Sequence, residues 1–314
     1  MDLTGRRKSD NVEDRRGQSS GGGSMRGLAG GSGLSLLGPL LQLLLRNKSG
    51  KYILIGLVVL VVLAYAGGCN PLALLLDGGN VTPASVQTDT SAPYQASDEE
   101  EQLAEFSRQI LASTEDIWSD IFRRMGKEYR NPTLVLFTNS VQSACGGATA
   151  AVGPFYCSGD EKLYIDLSFF QNMKRDIGAD GDFAYAYVIA HEVGHHVENL
   201  LGILGSAHSQ MNSLGEAQAN QVSVRLELLA DYYAGVWGHY ENERFRSLEQ
   251  GDLDEAIDAA LKIGDDYLQK KARGYAVPES FTHGKSEQRK RWLKRGYDMG
   301  DMTTTTFAGA YEAL

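Results

Sequence analysis

The sequence predicts an α+β domain, mostly helical around a small β-sheet and preceded by one transmembrane helix. Three observations carry that expectation. Thr133–Phe137 and Lys162–Asp166 have the β-branched and aromatic composition of strands. Nearly everything after Asp166 sets its apolar residues at helical spacing. No charged residue interrupts the stretch between Lys51 and Asp77. The 314 residues are 42% apolar and 22% charged, a balance that fits neither wholesale disorder nor a polytopic membrane protein.

Taken in order, residues 1–51 read as a basic, Gly/Ser-rich cytoplasmic tail. They hold nine Lys and Arg against four Asp and Glu, which leaves 21 basic against 36 acidic residues in the remainder. That acidic excess has the wrong sign for a nucleic-acid partner. Gln18–Gly33 is a flexible stretch by composition. Leu34–Leu45, interrupted by Gly38-Pro39, is too short to span and suits an interface better. Residues 52–76 form the transmembrane anchor, because about twenty helical residues at ~1.5 Å each cross a ~30 Å hydrocarbon layer. A long hydrophilic lead and the lack of a small-x-small cleavage site favour a retained anchor over a signal peptide. Basic residues from Arg6 to Lys51 precede the span and acidic ones from Asp77 follow it. The N-terminus is therefore expected in the cytoplasm, and everything after about residue 77 on the periplasmic or extracellular side of a single-pass membrane protein.

Residues 77–97 are a linker, and residues 98–314 make the soluble domain. Glu101–Gly126 carries Leu103, Phe106, Ile110, Leu111, Ile117, Trp118, Ile121 and Phe122 at helical intervals. The two strands follow, with a Gly-rich loop between them. Lys162–Asp166 is expected either as an edge strand offering backbone groups to an extended substrate or as an ordinary internal strand. Cys145 and Cys157, twelve positions apart in that loop, are the natural disulfide in an oxidising compartment, with two buried free thiols as the alternative. Cys69 reads as a small apolar residue in the span. Helices are then expected over Leu167–Met173, Asp182–Leu201, Leu214–Tyr240, Asp252–Ala272 and Lys285–Tyr297, the fourth opening on an Asp252/Glu255 capping box. Asp180-Gly-Asp182 lacks the oxygens of a calcium loop and is expected to cap the helix it precedes.

That helix holds the chemistry. In His191-Glu192-Val193-Gly194-His195 the two imidazoles lie one turn apart on one face and can grip a single ion, while Ala186, Ile189, Val193 and Val197 form an apolar stripe. Glu192 flanks that face, from which a carboxylate reaches a water on the metal, accepts its proton and passes it to a leaving amine. Thirty-two positions beyond His195, Glu227 and Asp231 stand at i and i+4 in the apolar run Arg225–Gly235. Two unpaired carboxylates there would be costly to bury. A cation removes the cost, with Glu227 as third protein ligand and Asp231 accepting the N–H of a ligating His. Three ligands and one open position are the catalytic zinc arrangement. A buried His pair in a core and a solvated acidic pair are the bland alternatives.

On these residues the chain resembles the bacterial neutral zinc metallopeptidases, membrane-anchored members of the gluzincin group. The resemblance extends over Asn11–Arg16, Gly153–Cys157, Tyr164–Ser168, Gly178–Phe183, His191–His196, Glu227–Trp237 and Phe281–Gly284 with Gln288-Arg289. It implies a zincin-like fold, Zn2+ held by His191, His195 and Glu227, Glu192 as base, and a protein or peptide substrate. Tyr232 stands where some relatives carry a cysteine, which touches no ligand. His283 is expected either to stabilise the oxyanion of the reaction or to cap the last helix. His196 is expected behind the ligands or at the surface, and His208 and His239 at the surface. The rival function is a catalytically silent, membrane-tethered zinc-binding or assembly protein; the presence of every ligand and the base weighs against it.

Overall fold

A computed structural model describes residues 1–18 and 94–302. Its chain order is β1 (Val12–Asp14), α1 (Asp98–Arg124), β2 (Thr133–Phe137), the hairpin β3 (Ser140–Ser143) and β4 (Gly146–Thr149), β5 (Phe155–Cys157) and β6 (Lys162–Asp166). Then come α2 (Ser168–Asn172), α3 (Asp182–Leu200), α4 (Ile203–Met211), α5 (Glu216–Phe245), α6 (Asp252–Lys262), α7 (Asp265–Arg273) and α8 (Ser286–Met299). The architecture is α+β and mostly helical, with one four-stranded sheet in the order β1-β2-β6-β5 and one separate hairpin.

Local chemistry explains the elements. Ser97 accepts the Glu100 N–H to start α1, four acidic residues fill its first turn and two arginines its last, all favourable to the helix dipole. In β2 and β6, which pair in parallel with Leu134 opposite Leu163, alternate side chains separate into two cores. Leu134, Leu136, Leu163 and Ile165 join the main core with α1 and α3, while Val135, Phe137 and Tyr164 pack with Cys157 on the other face. Cys145 and Cys157 form a disulfide with Cα atoms 5.8 Å apart.

Several expectations are corrected. Residues 1–18 are not a tail separate from the domain: β1 pairs in parallel with β2, Val12 opposite Leu134, and Met1 and Leu3 enter the main core. The basic residues there are engaged by the domain itself, Arg6 with Glu241 at 2.7 Å, Arg7 with Glu115 at 2.9 Å and Lys8 with Glu105 at 2.8 Å. β6 is internal, and the edge strands are β1 and β5. The single helix expected over 252–272 is two, because Gly264 adopts an extended conformation where the start of α8 leaves no room: a Cβ there would lie 2.4 Å from the Ser286 nitrogen. No capping box opens α6, since Glu255 accepts the Phe183 N–H instead. Asp182 follows the N-cap Gly181 and lies 2.5 Å from the Met1 amino group. The expected anchor at 52–76, the interfacial stretch and Cys69 lie outside the described residues. Among the described residues, no helix is long and apolar enough to cross a membrane.

Candidate metal centre

α3 buries Ala186, Ile189, Val193 and Val197 completely, which turns His191 and His195 toward a cleft of about 430 Å³. α5 crosses α3 at Gly194. A Cβ on that glycine would meet the Ala230 oxygen at 2.8 Å and its Cα at 2.9 Å, so only glycine allows the two backbones this close. The crossing sets Glu227 and Asp231, one turn apart, above the two histidines. Glu227 lies 3.1 Å from His191 Nε2 and 3.5 Å from His195 Nε2. One ligand atom from each of His191, His195 and Glu227 can be chosen so that all lie within 4.8 Å of one another. Glu192, 8% exposed, lines the same cleft.

Both Nδ1 atoms face carboxylates. His191 Nδ1 is 2.9 Å from Asp231 Oδ1, and His195 Nδ1 is 2.9 Å from Glu198 Oε2. Asp231 is held in turn: Arg289 donates to both of its oxygens at 2.9 Å, and the Tyr187 hydroxyl donates at 2.6 Å. Arg289 reaches it because α5 and α8 meet backbone to backbone, a Cβ on Gly296 falling 2.0 Å from the Tyr232 oxygen. Sequence spacing had no means of finding Arg289 as a partner of Asp231. Glu198 was legible in principle, since it lies three residues from His195 and seven from His191 on one helical face.

Electrostatics shows what this donor set wants. Burial opposes a charge on either imidazole, yet Asp231 and Glu227 raise the pKa of His191, and Glu198 and Glu227 raise that of His195 well above its ordinary value. Burial likewise opposes ionisation of Glu227, but the two histidines hold it well below the usual carboxylate range. Burial pushes Glu198 up to about 7. The carboxylates of Glu192, Glu198, Glu227 and Asp231 gather around one fixed cation, Arg289, so the site draws in positive charge. Two imidazole nitrogens, a carboxylate and carboxylate-backed rings fit a zinc ion in donor type and in charge.

His283 also lines the cleft. Asp265, at the head of α7, accepts the backbone N–H groups of Thr282, His283 and Gly284 at 2.8, 2.6 and 3.0 Å and lies 3.3 Å from His283 Nδ1. The Asp265 hydrogen bond raises the His283 pKa against the effect of burial. His283 is not the cap of α8, where Lys285 is the N-cap residue. His196 is fully buried and lies away from the cleft lining, 2.6 Å from the Arg130 oxygen and 2.9 Å from the Tyr156 hydroxyl. His208 is exposed, as expected; His239 is partly buried with Nδ1 2.8 Å from the Tyr297 oxygen.

A profile of the family described as "Putative neutral zinc metallopeptidase" matches residues 1–307. The chain belongs to this family. Zinc is therefore its cofactor. It is 48% identical over 301 residues to the uncharacterized protein YpfJ of Escherichia coli (strain K12), a match spanning 96% of each chain. It is 42% identical over 183 residues to the uncharacterized protein Rv2575 of Mycobacterium tuberculosis (strain H37Rv), covering 55% of this chain and 61% of that one. No solved structure matches.

Proposed function

We propose that this zinc metallopeptidase hydrolyses peptide bonds, with His191, His195 and Glu227 as metal ligands and Glu192 as general base. The observation that carries the reading is the convergence of three donor atoms within 4.8 Å on the floor of a cleft that Glu192 also lines. Held by His191, His195 and Glu227, a zinc ion would supply a Lewis acid for the scissile carbonyl and for the attacking water. Glu192 takes the proton of the attacking water and delivers it to the leaving amine. His283, held by Asp265 and biased toward its protonated form, donates to the oxygen that becomes negative as the carbonyl is attacked. Val152, Phe155, Phe169, Ile263 and Leu268 make the cleft walls apolar, which suits large apolar side chains beside the scissile bond. The α3–α5 helix pair supports the zincin-like reading of the fold.

Glu192→Gln tests the assignment. Casein hydrolysis should fall at least 100-fold while zinc content, measured by mass spectrometry, stays at one ion per chain. Equal background hydrolysis by both proteins would instead favour the silent zinc-binding protein.

For location, we propose that residues 52–76 attach the chain to a membrane without a net crossing, so that residues 1–18 and 94–302 lie on the same, oxidising side. The pairing of β1 with β2 supports a common side, and the Cys145–Cys157 bridge supports an oxidising one. This reading departs from the expectation of a single span with a cytoplasmic N-terminus.

A further inference from the structure

We propose that Glu198 is a positioning residue that acts through His195, and that its negative charge, beyond its shape, tightens zinc binding. The proposal rests on the zinc reading above and extends it to a residue outside the ligand set. Glu198 follows His195 by one helical turn, is fully buried, and places Oε2 2.9 Å from His195 Nδ1. A carboxylate can only accept, so Nδ1 carries the proton and Nε2 presents its lone pair toward Glu227.

The two carboxylates behind the rings are not equivalent. Asp231 accepts from His191, from Tyr187 and twice from Arg289, so a guanidinium already balances its charge. Among the described residues, none donates a guanidinium or ammonium to Glu198 in this way. Its second oxygen, Oε1, is buried with no hydrogen-bond partner among the described residues. A buried carboxylate left in that condition is costly, and a cation held by His195 Nε2 on the far side of the ring would offset it. Removing the Glu198 charge withdraws the anion behind a ligating ring while leaving its shape, and the ion is bound less tightly.

A plain packing role predicts something different, and Glu198→Gln separates the two. Glutamine keeps the volume and an oxygen that accepts from His195 Nδ1, but removes the charge. The full-length chain is stripped of metal, and zinc affinity is measured by chelator competition for wild type, Glu198→Gln and Glu198→Ala. Thermal midpoints of the metal-free proteins report structural damage. The expected result is about tenfold weaker binding for Gln and up to about a hundredfold for Ala, with the metal-free Gln variant at least as heat-resistant as wild type. Wild-type affinity in Glu198→Gln would overturn the charge argument, as would a metal-free Gln protein destabilised enough to account for its weaker binding. If wild type itself bound no zinc, the peptidase reading would fall first, an outcome distinct from either of these.

Discussion

At the scale of single residues, neighbouring histidines on one helix divide the labour. His195 faces the cleft, while His196 turns away from it and serves as a neutral post. Its Nε2–H donates to the Arg130 carbonyl, so Nδ1 accepts from the Tyr156 hydroxyl, which accepts from Asn199 at 3.0 Å. Burial, the largest cause, lowers the His196 pKa from 6.5 to about 4. The unfolded chain thus takes up this proton near pH 6.5 and the folded protein only near pH 4. The contribution to stability is intact above pH 6.5 and shrinks by about 1.4 kcal/mol per unit as pH falls from there toward 4. Because the raised pKa values of His191, His195, His283 and Glu198 act in the opposite direction, the readout is a difference: between pH 7.5 and 4.5, the stability of wild type from denaturant unfolding should fall relative to that of His196→Gln, whose amide can donate to Arg130 and accept from Tyr156, by about 1.4 kcal/mol per pH unit below 6.5.

At the scale of elements, the centre depends on one helix crossing. Gly194→Ala places a methyl group against the Ala230 backbone, and the overpacking cost of about 1–3 kcal/mol exceeds the ~1 kcal/mol that alanine adds to helix propensity. The expected outcome is a lower denaturant midpoint together with weaker zinc binding, because Glu227 moves with the displaced α5. A variant with unchanged zinc affinity would show that the crossing tolerates the shift. How far these elements could be read from the sequence follows from where their causes lie. Both long strands and the helices α1, α3 and α5 were legible, since their apolar periodicities record the faces they bury. The division of α6 from α7 was not, because Gly264 is held extended by a contact with Ser286. Glu227 and Asp231 could be matched to the His helix because two carboxylates in an apolar run demand a cation. Arg289 lies on a third helix, and nothing in the local pattern linked it to Asp231.

At the scale of the whole molecule, the opening residues have a structural part that composition did not show. Five of the nine basic residues that suggested orientation, Arg6, Arg7, Lys8, Arg15 and Arg16, pair with acidic groups of the folded unit. Val12–Asp14 is too short to signal a strand by alternation; it becomes one by adding to the edge of β2. The expected result for topology is that single-cysteine labels at Lys8 and at Lys290, both at exposed side chains in a background retaining Cys145 and Cys157, react with an impermeant maleimide from the same side of sealed vesicles. Labelling from opposite sides would contradict the β1–β2 pairing in the membrane-bound protein.

That pairing also orders events during synthesis. The partner of Val12 is Leu134, more than a hundred residues later. The first strand made cannot take its place until the ribosome has translated well past the apolar stretch and released β2. Closing so long a loop is slow compared with forming α1 or α3. The opening segment therefore waits, unpaired, and completes the sheet as a late step of folding.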